Sequence, residues 1–301
     1  MTVCVVGSFM MDLVVVASRR PNPGETLIGD SFSMFVGGKG FNQAVAAKRA
    51  GSQVSMVGRL GQDPFADKFV EFMRAEGIDF SGVEYDEEVG TGTATPLVEH
   101  SGQNSIVIVP QSNMRITEEQ IDAKSNILAQ SDVVVLQLEI PIPTVKYVAK
   151  KAKTLGKTVI LNPAPYAELD AELLNNVDFI IPNEAELLGL IPDCNIDDID
   201  SIISSVKDFQ KKIPLNFVVT LGERGVVSID ENGKVLSIEP HCVTPIDTVG
   251  AGDTFCGYFA SALSEGKALQ ECLSLANKAA SISVTRRGAA QSVPLIDEVR
   301  I

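Results

Sequence analysis

The residues best suited to chemistry form the run Asp-Thr-Val-Gly-Ala-Gly-Asp at positions 247–253. Gly250, Ala251 and Gly252 carry almost no side chain, so their backbone N–H groups can approach a ligand closely. Residues 254–265 follow with apolar side chains at helical spacing. The first N–H groups of a helix have no partner inside it, and the helix dipole places partial positive charge there. The run therefore predicts a binding site for an anion such as phosphate.

Asp253 ends this run and needs a chemical role. A carboxylate repels a phosphate group held at rest, but it is well placed to take the proton from a hydroxyl that attacks that phosphate. Asp253 therefore predicts a general base beside an anion site. The alternative, from these residues alone, is that Asp253 caps the helix and the glycines only form a turn.

A second glycine-rich run, Gly-Gly-Lys-Gly-Phe-Asn-Gln, occupies positions 37–43. Its glycines allow the backbone to approach a small ligand, while Lys39 and Asn42 supply donors suited to hydroxyl groups. The run is not a nucleotide P-loop, because Lys39 is followed by Gly40 and not by Ser or Thr. Residues 7–10 do not form the glycine pattern of a dinucleotide site either. Both observations argue against a P-loop ATPase and an NAD enzyme.

Short apolar runs alternate with helical patterns, which predicts an α/β fold with a central, mostly parallel sheet flanked by helices. In such sheets ligands bind beyond the carboxyl ends of the strands, and here polar residues follow several of the apolar runs. We therefore expect these polar residues to meet at one edge. The predicted strands are residues 3–7, 54–57, 133–137, 158–161, 179–181 and 216–220. The predicted helices are a segment within 37–51 and residues 64–76, 142–155, 184–190, 199–211 and 254–265.

Two pairs of strand-like runs have no helix of their own: residues 13–17 with 26–35, and residues 93–98 with 106–109. They predict a small antiparallel sheet that forms a lid over the same edge. The alternative is a pair of surface hairpins. A small sheet with an apolar face is marginally stable alone, so it should pack on the main domain or on a partner subunit. We expect residues 1–301 to form a single α/β domain, with lid strands inserted from about 13–36 and 90–110.

Composition limits the partners of this chain of 301 residues, whose 45% hydrophobic content suffices for one large core. The formal net charge of −14 argues against nucleic acid or an anionic membrane surface as partner. Five scattered cysteines fit reduced thiols and no zinc site. The N-terminal apolar run is too short for a signal peptide, and no run approaches the roughly 18 apolar residues of a membrane span. These features predict a cytoplasmic protein.

The two glycine-rich runs together resemble the signatures of the ribokinase/PfkB family of sugar kinases. The first extends over residues 37–47 as Gly-Gly-Lys-Gly-Phe-Asn-Gln-Ala-Val-Ala-Ala, and the second over 247–255. Blocks at 136–139, 161–165, 182–186, 220–225 and 284–289 look like the ribokinase branch of that family in order and spacing. The resemblance covers essentially the whole chain, and it favours the general base over the helix cap for Asp253.

The resemblance implies ATP-dependent phosphorylation of D-ribose at its 5-hydroxyl, giving D-ribose 5-phosphate and ADP. Asp253 would be the general base, and the amides of Gly250, Ala251 and Gly252 would stabilise the transferring phosphoryl group. A lid would close over the sugar, and a homodimer would form through the lid sheets. The residues implied for the sugar are Met10, Asp12, Gly38, Lys39, Gly40, Asn42 and Glu139.

The same resemblance implies a nucleotide site and two cations. Glu186, in the pattern Asn-x-x-Glu from Asn183, would act on the Mg²⁺ that accompanies ATP through water. A potassium ion would activate the enzyme from a position next to the anion site. The residues implied for ATP are Asn183, Thr220, Leu221, Gly222, Glu223, Arg224, Gly225, Gly252 and Asn277. Those implied for K⁺ are Asp247, Val249, Ser283, Arg286, Gly288 and Ser292.

Met10 departs from the family pattern, which often has Asn at this position. An amide can hydrogen-bond a sugar hydroxyl, whereas a thioether offers mostly apolar surface. Met10 therefore adds 2-deoxyribose as a candidate substrate, together with the other furanoses or nucleosides that kinases of the same family use. This does not apply if its side chain points into the core. A sugar-binding regulator without activity is the remaining alternative, and the presence of Asp253 argues against it.

Overall fold

Apolar strands that are covered on both faces form the centre of the computed structural model, which describes residues 1–300. Strand β1 (Thr2–Val6) shows the principle. Its side chains alternate, so that Val3 and Val5 belong to one apolar cluster while Cys4 and Val6 belong to another on the opposite face. Because both faces are covered, the strand is almost continuously apolar.

The main sheet has nine strands, and seven neighbouring strands run parallel. The last two pairings at one end, of the eighth strand with the seventh and of the ninth with the eighth, are antiparallel. In spatial order the strands are β13 (Val235–Ile238), β12 (Val226–Ile229), β11 (Asn216–Thr220), β10 (Phe179–Ile180), β9 (Thr158–Leu161), β8 (Val133–Leu136), β1, β4 (Gln53–Gly61) and β5 (Asp79–Asp86). The prediction of a mostly parallel central sheet is confirmed.

Helices cover both faces of this sheet. One face carries α1 (Lys39–Arg49), α2 (Pro64–Glu76), α9 (Ala251–Ser264), α10 (Leu269–Ser283) and α11 (Ile296–Val299). The other carries α3 (Glu118–Ala123), α4 (Ser125–Gln130), α5 (Ile142–Thr154), α6 (Ala171–Leu174), α7 (Glu184–Leu190) and α8 (Ile199–Gln210). Short 3₁₀ turns lie at Gln111–Arg115, Gly222–Arg224 and Ala290–Ser292.

Local sequence signals account for the bounds of helix α2, which agree with the prediction. The Asp63 side chain caps it by accepting a 2.9 Å hydrogen bond from the N–H of Ala66, and Pro64 occupies the first turn, where no N–H is needed. Gly77 ends the helix in the left-handed conformation, with φ of 69°. The predicted bounds of α7 also agree, whereas α9 begins at Ala251, three residues before the prediction.

A second, four-stranded sheet contains the predicted lid strands. In spatial order it consists of β3 (Ser31–Gly37), β2 (Met10–Ala17), β6 (Thr93–Glu99) and β7 (Asn104–Val109). The two hairpins join through β2 and β6, so the alternative of two separate hairpins is wrong. The expectation of a fully antiparallel sheet is also wrong, because β2 and β6 run in the same direction. The expected strand at 26–35 begins only at Ser31.

Within residues 1–300, no helix combines the length and the apolar character needed to cross a bilayer.

Candidate active site

A cavity of about 190 Å³ lies beyond the carboxyl ends of the parallel strands. Residues that follow β9 and β10, Thr220 at the end of β11 and the start of α9 line it. The expected collection of polar residues at this edge is therefore observed. The lining residues are Lys39, Asn162, Ala164, Ile181, Asn183, Glu186, Thr220, Thr248, Gly250, Gly252, Asp253 and Cys256.

Asp253 lies inside the first turn of α9 and is only 7% exposed. The N-cap of this helix is Gly250, in the left-handed conformation with φ of 76°, and no side chain caps the helix end. The Asp253 carboxylate instead accepts hydrogen bonds from Asn42 Nδ2 at 2.9 Å and from Gln43 Nε2 at 3.0 Å. It is thus held by side chains of another helix, and the helix-cap alternative is wrong.

Close packing of α1 on α9 makes this contact possible. A Cβ added to Gly257 would lie 2.4 Å from the Cβ of Ala46 and 2.5 Å from the carbonyl oxygen of Gln43. Real side chains do not approach so closely, so glycine is required at this point of the helix pair. The absence of a side chain at Gly257 lets the start of α1 reach the Asp253 carboxylate.

Glu139 joins three segments of the proposed sugar site. Its Oε2 atom accepts hydrogen bonds from the Ser8 hydroxyl and, at 2.9 Å, from the backbone N–H of Lys39. The Ser8 hydroxyl in turn accepts a 3.3 Å hydrogen bond from the N–H of Gly40. The loop after β1, the end of the segment after β8 and the start of α1 are therefore tied together around one carboxylate.

The Asp12 carboxylate projects from β2 toward Gly37 of the paired strand. A Cβ at Gly37 would lie only 2.6 Å from Asp12 Oδ2, so glycine leaves the room that the carboxylate needs. Burial, together with the nearby charges of Glu139 and Asp253, raises the pKa of Asp12 to about 7. Asp12 is therefore a carboxyl that titrates near neutral pH.

Lys39 is the cation among these carboxylates. Burial alone lowers the pKa of its ammonium group, but the charges of Asp253, Glu139 and Glu186 outweigh burial, and the net pKa is raised. Lys39 is therefore positively charged at neutral pH. It lines the cavity together with Gly250, Gly252 and Asp253, which places a positive charge beside the amides that start α9.

Asn183 and Glu186 form a reciprocal cap at the start of α7. The N–H of Glu186 donates to Asn183 Oδ1 at 2.9 Å, and the N–H of Asn183 donates to Glu186 Oε2, also at 2.9 Å. Burial raises the pKa of Glu186, although the hydrogen bond from Asn183 and the charge of Lys39 lower it. Both residues line the cavity, so the Glu186 carboxylate keeps acceptor capacity that faces the site.

The loop after β11, which the resemblance assigns to nucleotide binding, lies beside α7. Thr220 lines the cavity, while Leu221 is buried. The Arg224 guanidinium pairs with Glu184 and donates to the carbonyls of Ile196 at 2.7 Å and Asp197 at 3.1 Å. Arg224 thus holds the loop in place. The remaining residues expected at ATP are exposed Gly222 and Glu223, buried Gly225, and Asn277, whose Nδ2 donates to the Glu239 carbonyl at 2.9 Å.

Three of the residues implied for potassium meet directly. Asp247 Oδ1 accepts from the N–H of Val249 at 3.0 Å, and Asp247 Oδ2 accepts from the N–H of Gly288 at 3.0 Å. Carboxylate and backbone oxygens of such segments suit a hard monovalent cation. The other implied residues make local contacts: the hydroxyls of Ser283 and Ser292 donate to the carbonyls of Ala280 and Ala289, both at 2.8 Å, and Arg286 pairs with Glu298.

Within residues 1–300, no three His, Cys, Asp or Glu side chains are grouped to hold a metal ion. A Mg²⁺ ion held through water and nucleotide phosphates needs few protein ligands, so the cavity containing Glu186 fits that mode of binding.

Sequence reasoning did not assign several residues of this site. Gln43 contacts Asp253, while Asn162, Thr248 and Cys256 line the cavity. Gln43 and Asn162 lie within the blocks that resemble the family. The signal that could have identified Asn162 as a site residue is its position as a polar residue directly after an apolar run. Cys256 gave no such signal; burial, with the charge of Asp253, raises the pKa of its thiol well above the ordinary value.

Known proteins resemble the chain over nearly its full length. The Bacillus subtilis ribokinase is 38% identical over 99% of this chain and 97% of that protein. The Salmonella typhimurium deoxyribokinase is 34% identical over 99% of this chain and 97% of that protein. The structure of an Arabidopsis thaliana ribokinase complexed with ribose and ATP has a TM-score of 0.92 and 32% identity, covering 99% of this chain and 97% of that one.

The sequence pattern of the pfkB family carbohydrate kinases matches residues 1–296. This match establishes that the chain belongs to the pfkB family of carbohydrate kinases. The nine-stranded sheet, the smaller sheet and the two glycine-rich runs agree with it.

Proposed function

We propose that the protein is an ATP-dependent kinase that phosphorylates D-ribose at the 5-hydroxyl, giving D-ribose 5-phosphate and ADP. The observation that carries the proposal is the position of Asp253. Its buried carboxylate opens into the cavity that Lys39, Gly250 and Gly252 also line. The choice of ribose is supported by the ribokinases similar to this chain, one of which has a structure with ribose and ATP.

The proposed reaction is a direct phosphoryl transfer. As the sugar hydroxyl oxygen bonds to the γ-phosphorus of ATP, Asp253 accepts the hydroxyl proton. The bond from phosphorus to the oxygen that bridges it to the β-phosphate breaks, and ADP leaves. The amides of Gly250, Ala251 and Gly252, with the Lys39 ammonium, offset the negative charge on the transferring group.

The other sugar hydroxyls would be held where the lid sheet meets the main sheet. Asp12 lies on lid strand β2, whereas Glu139 and Asn42 belong to the main domain. Movement of the lid would therefore bring Asp12 toward the sugar and exclude water. The backbones of Gly38 and Gly40 lie at the start of α1, beside the same position.

A second candidate substrate is 2-deoxyribose, which is supported by the residue type at Met10 and by the deoxyribokinase to which the chain is similar. Met10 precedes Asp12 by two residues in β2, so both side chains share one face of the strand. The Met10 side chain is only 4% exposed, but neither apolar cluster formed by residues 1–300 contains it, whereas its neighbour Met11 belongs to the larger one. A thioether facing the sugar suits a carbon that has no hydroxyl.

We propose that Mg²⁺ accompanies ATP and interacts with Glu186 through water, and that K⁺ binds near Asp247, Val249 and Gly288. Bound there, the cations supply positive charge that offsets the charge of the phosphates. The chain's own residues supply the rest: Asp253 holds the proton, and the amides at the start of α9 orient the phosphoryl group.

We also propose a cytoplasmic homodimer of single-domain subunits that pair through their lid sheets. The edge strands β3 and β7 support this, because several of their apolar side chains, such as Phe32 of β3, are exposed. Ile106 and Val107 point to opposite faces of β7 and are 50% and 65% exposed. An apolar edge strand that is open on both faces is a template for pairing with another chain.

The test is ADP release with Mg²⁺ and ATP, with ribose, 2-deoxyribose and fructose 6-phosphate offered separately, each with and without K⁺. The proposal expects ribose to be preferred and K⁺ to raise the rate. A preference for 2-deoxyribose would select the second candidate. Sugar binding without ADP release from any sugar or nucleoside in a wider panel would indicate a regulator and overturn the assignment as a kinase.

A further inference from the structure

Buried amide side chains form a chain of hydrogen bonds that ends on the Asp253 carboxylate. Gln137 Nε2 donates to Gln43 Oε1 at 2.6 Å, and Gln43 Nε2 donates to Asp253 Oδ1 at 3.0 Å. Gln43 Nε2 also donates to Asn162 Oδ1 at 3.2 Å. Gln43 and Gln137 are both 0% exposed, so neither reaches a ligand in the cavity. Any effect of Gln43 on the reaction must pass through Asp253 or Asn162.

Asn162 and Asp253 fix the direction of these hydrogen bonds, because each of them can offer Gln43 only an acceptor. Asn162 Nδ2 donates to the backbone carbonyl of Ile181 at 2.9 Å, so Asn162 must present its oxygen to Gln43. The Asp253 carboxylate also only accepts from Gln43. Gln43 must therefore turn its NH₂ group toward both residues, which leaves its oxygen to accept from Gln137.

The oxygen of Gln137 indicates that stability alone does not account for this arrangement. Within residues 1–300, Gln137 Oε1 is buried with no hydrogen-bond partner, and it faces Gly7, where a Cβ would lie 2.0 Å from it. A buried polar atom without a partner destabilises a fold. An apolar residue would avoid this loss, but it would also remove the donor that holds Gln43.

The two oxygens of Asp253 are held by different donors. Asn42 donates to Oδ2 and Gln43 donates to Oδ1, so together they fix the rotation of the carboxylate about its Cβ–Cγ bond. A general base must lie within hydrogen-bond reach of the proton it takes, in the correct direction. Asn42 also borders the proposed sugar position, whereas Gln43 is wholly enclosed.

We propose that Gln43 is a positioning residue for phosphoryl transfer: it holds the Asp253 carboxylate at the angle at which it accepts the hydroxyl proton, and Gln137 fixes the amide of Gln43. The proton passes from the sugar hydroxyl to Asp253, and Gln43 neither gains nor loses one. The inference rests on the proposed kinase function.

The test compares the parent with Gln43→Met, Gln137→Met and the double variant, since Met matches Gln closely in size. We expect Gln43→Met to lower kcat about 10- to 100-fold while the KM values for sugar and ATP change by less than about threefold. Gln137→Met should lower kcat by a smaller factor. The double variant should match Gln43→Met within about twofold, because both residues act along one path. All kcat values refer to folded protein, counted by calorimetric titration with sugar.

Gln210→Met is the matched control. Gln210 is another buried amide, whose Nε2 donates to the carbonyls of Leu215 at 2.7 Å and Asp230 at 2.9 Å, away from the cavity. The Gln210→Met substitution should lower the melting temperature of the protein and leave kcat unchanged. A residue with a purely structural role at position 43 would behave in the same way.

The outcomes separate the inference from the proposed function. A parent protein that turns over no sugar overturns the kinase assignment itself. An active parent with Gln43→Met unchanged in kcat, or altered only in KM, overturns the role of Gln43. If Gln43→Met does not fold, Gln137→Met decides: a fall in kcat at constant KM supports the inference, and an unchanged kcat rejects it.

Discussion

Asn42 donates a 2.9 Å hydrogen bond to the carboxylate of Asp253, joining two positions that are 211 residues apart in the chain. The bond links the first glycine-rich run to the second, so the proposed sugar-binding and phosphate-binding parts of the site share one carboxylate.

The first prediction concerns that carboxylate. Asp253→Asn should lower kcat about 10²- to 10⁴-fold, because the amide cannot take the hydroxyl proton. The affinity for sugar should change by less than about threefold, since the amide is similar in size and polarity. Steady-state kinetics and calorimetry measure the two effects. A variant that retains most of its rate would remove Asp253 from the mechanism.

The second prediction concerns stability and Asp12. Its folded-state pKa of about 7 lies above the ordinary value, so the folded protein holds this proton more tightly than the unfolded chain. The unfolding free energy should therefore fall as pH rises from about 4, the unfolded pKa, to 7. Asp12→Asn lacks this titration. Its stability relative to the parent should rise by on the order of 2–4 kcal/mol across that window.

Urea denaturation of both proteins at several pH values measures this difference. A difference that stays constant between pH 4 and 8 would contradict the raised pKa. The same titration should affect ligand binding, because an ionised Asp12 accepts hydrogen bonds from sugar hydroxyls. The affinity of the parent for sugar should be up to about tenfold higher at pH 8 than at pH 6, and that of Asp12→Asn should not change in this way.

The third prediction concerns substrate choice at Met10. Met10→Asn should raise the ratio of kcat/KM for ribose to that for 2-deoxyribose about 5- to 10-fold, because an amide can pair with the 2-hydroxyl. Met10→Leu, the control, keeps an apolar surface and should leave the ratio within about twofold of the parent. An equal ratio in all three proteins would mean that the side chain at position 10 does not face the sugar.

The fourth prediction concerns the exposed edge strand β7. Light scattering should give the mass of a dimer for the parent and of a monomer for Val107→Lys, since burying an unpaired ammonium group in an apolar contact is costly. Leu155→Lys places the same charge on an exposed apolar site of the main domain, and it should leave the mass unchanged. A dimer that persists in Val107→Lys would place the contact elsewhere.

The fifth prediction concerns potassium. In Asp247→Asn the K⁺ concentration for half-maximal activation should rise about tenfold or more, because a neutral amide attracts the cation less. Asp208→Asn removes a carboxylate of helix α8 that pairs with Lys211, just beyond the end of that helix, and it serves as control. Equal K⁺ dependence in parent and Asp247→Asn would exclude Asp247 from the cation site.

The strands at the centre of the sheet were predictable because they are buried on both faces. Strand β8 consists of four buried apolar residues, and a short apolar run of this kind is typical of a strand inside a parallel sheet. Strand β5, which reads Asp-Phe-Ser-Gly-Val-Glu-Tyr-Asp, lies at the edge of the sheet and was not predicted. Several of its side chains are exposed to solvent, so its sequence does not form an unbroken run of apolar residues. The same holds for β13 at the opposite edge.

The residues of the site were predictable to the extent that they belong to motifs. The placement of Asp253 beside Asn42 agrees with the pairing of the two glycine-rich runs. The network from Gln137 through Gln43 was not predictable, because it depends on how three separate segments pack. The parallel pairing of β2 with β6 was missed for the same reason: local hairpin signals do not specify which strands of two hairpins become neighbours.

The packing of α1 on α9 through Gly257 also joins two segments that are made at very different times during synthesis. Contacts between segments that are far apart in the chain, such as α1 and α9, form late in folding, because much of the chain between them must be ordered first. During synthesis α1 emerges from the ribosome long before α9 does. Under the proposed function, a growing chain carries the proposed sugar-binding residues before it carries the proposed base, so activity requires that α9 dock on α1.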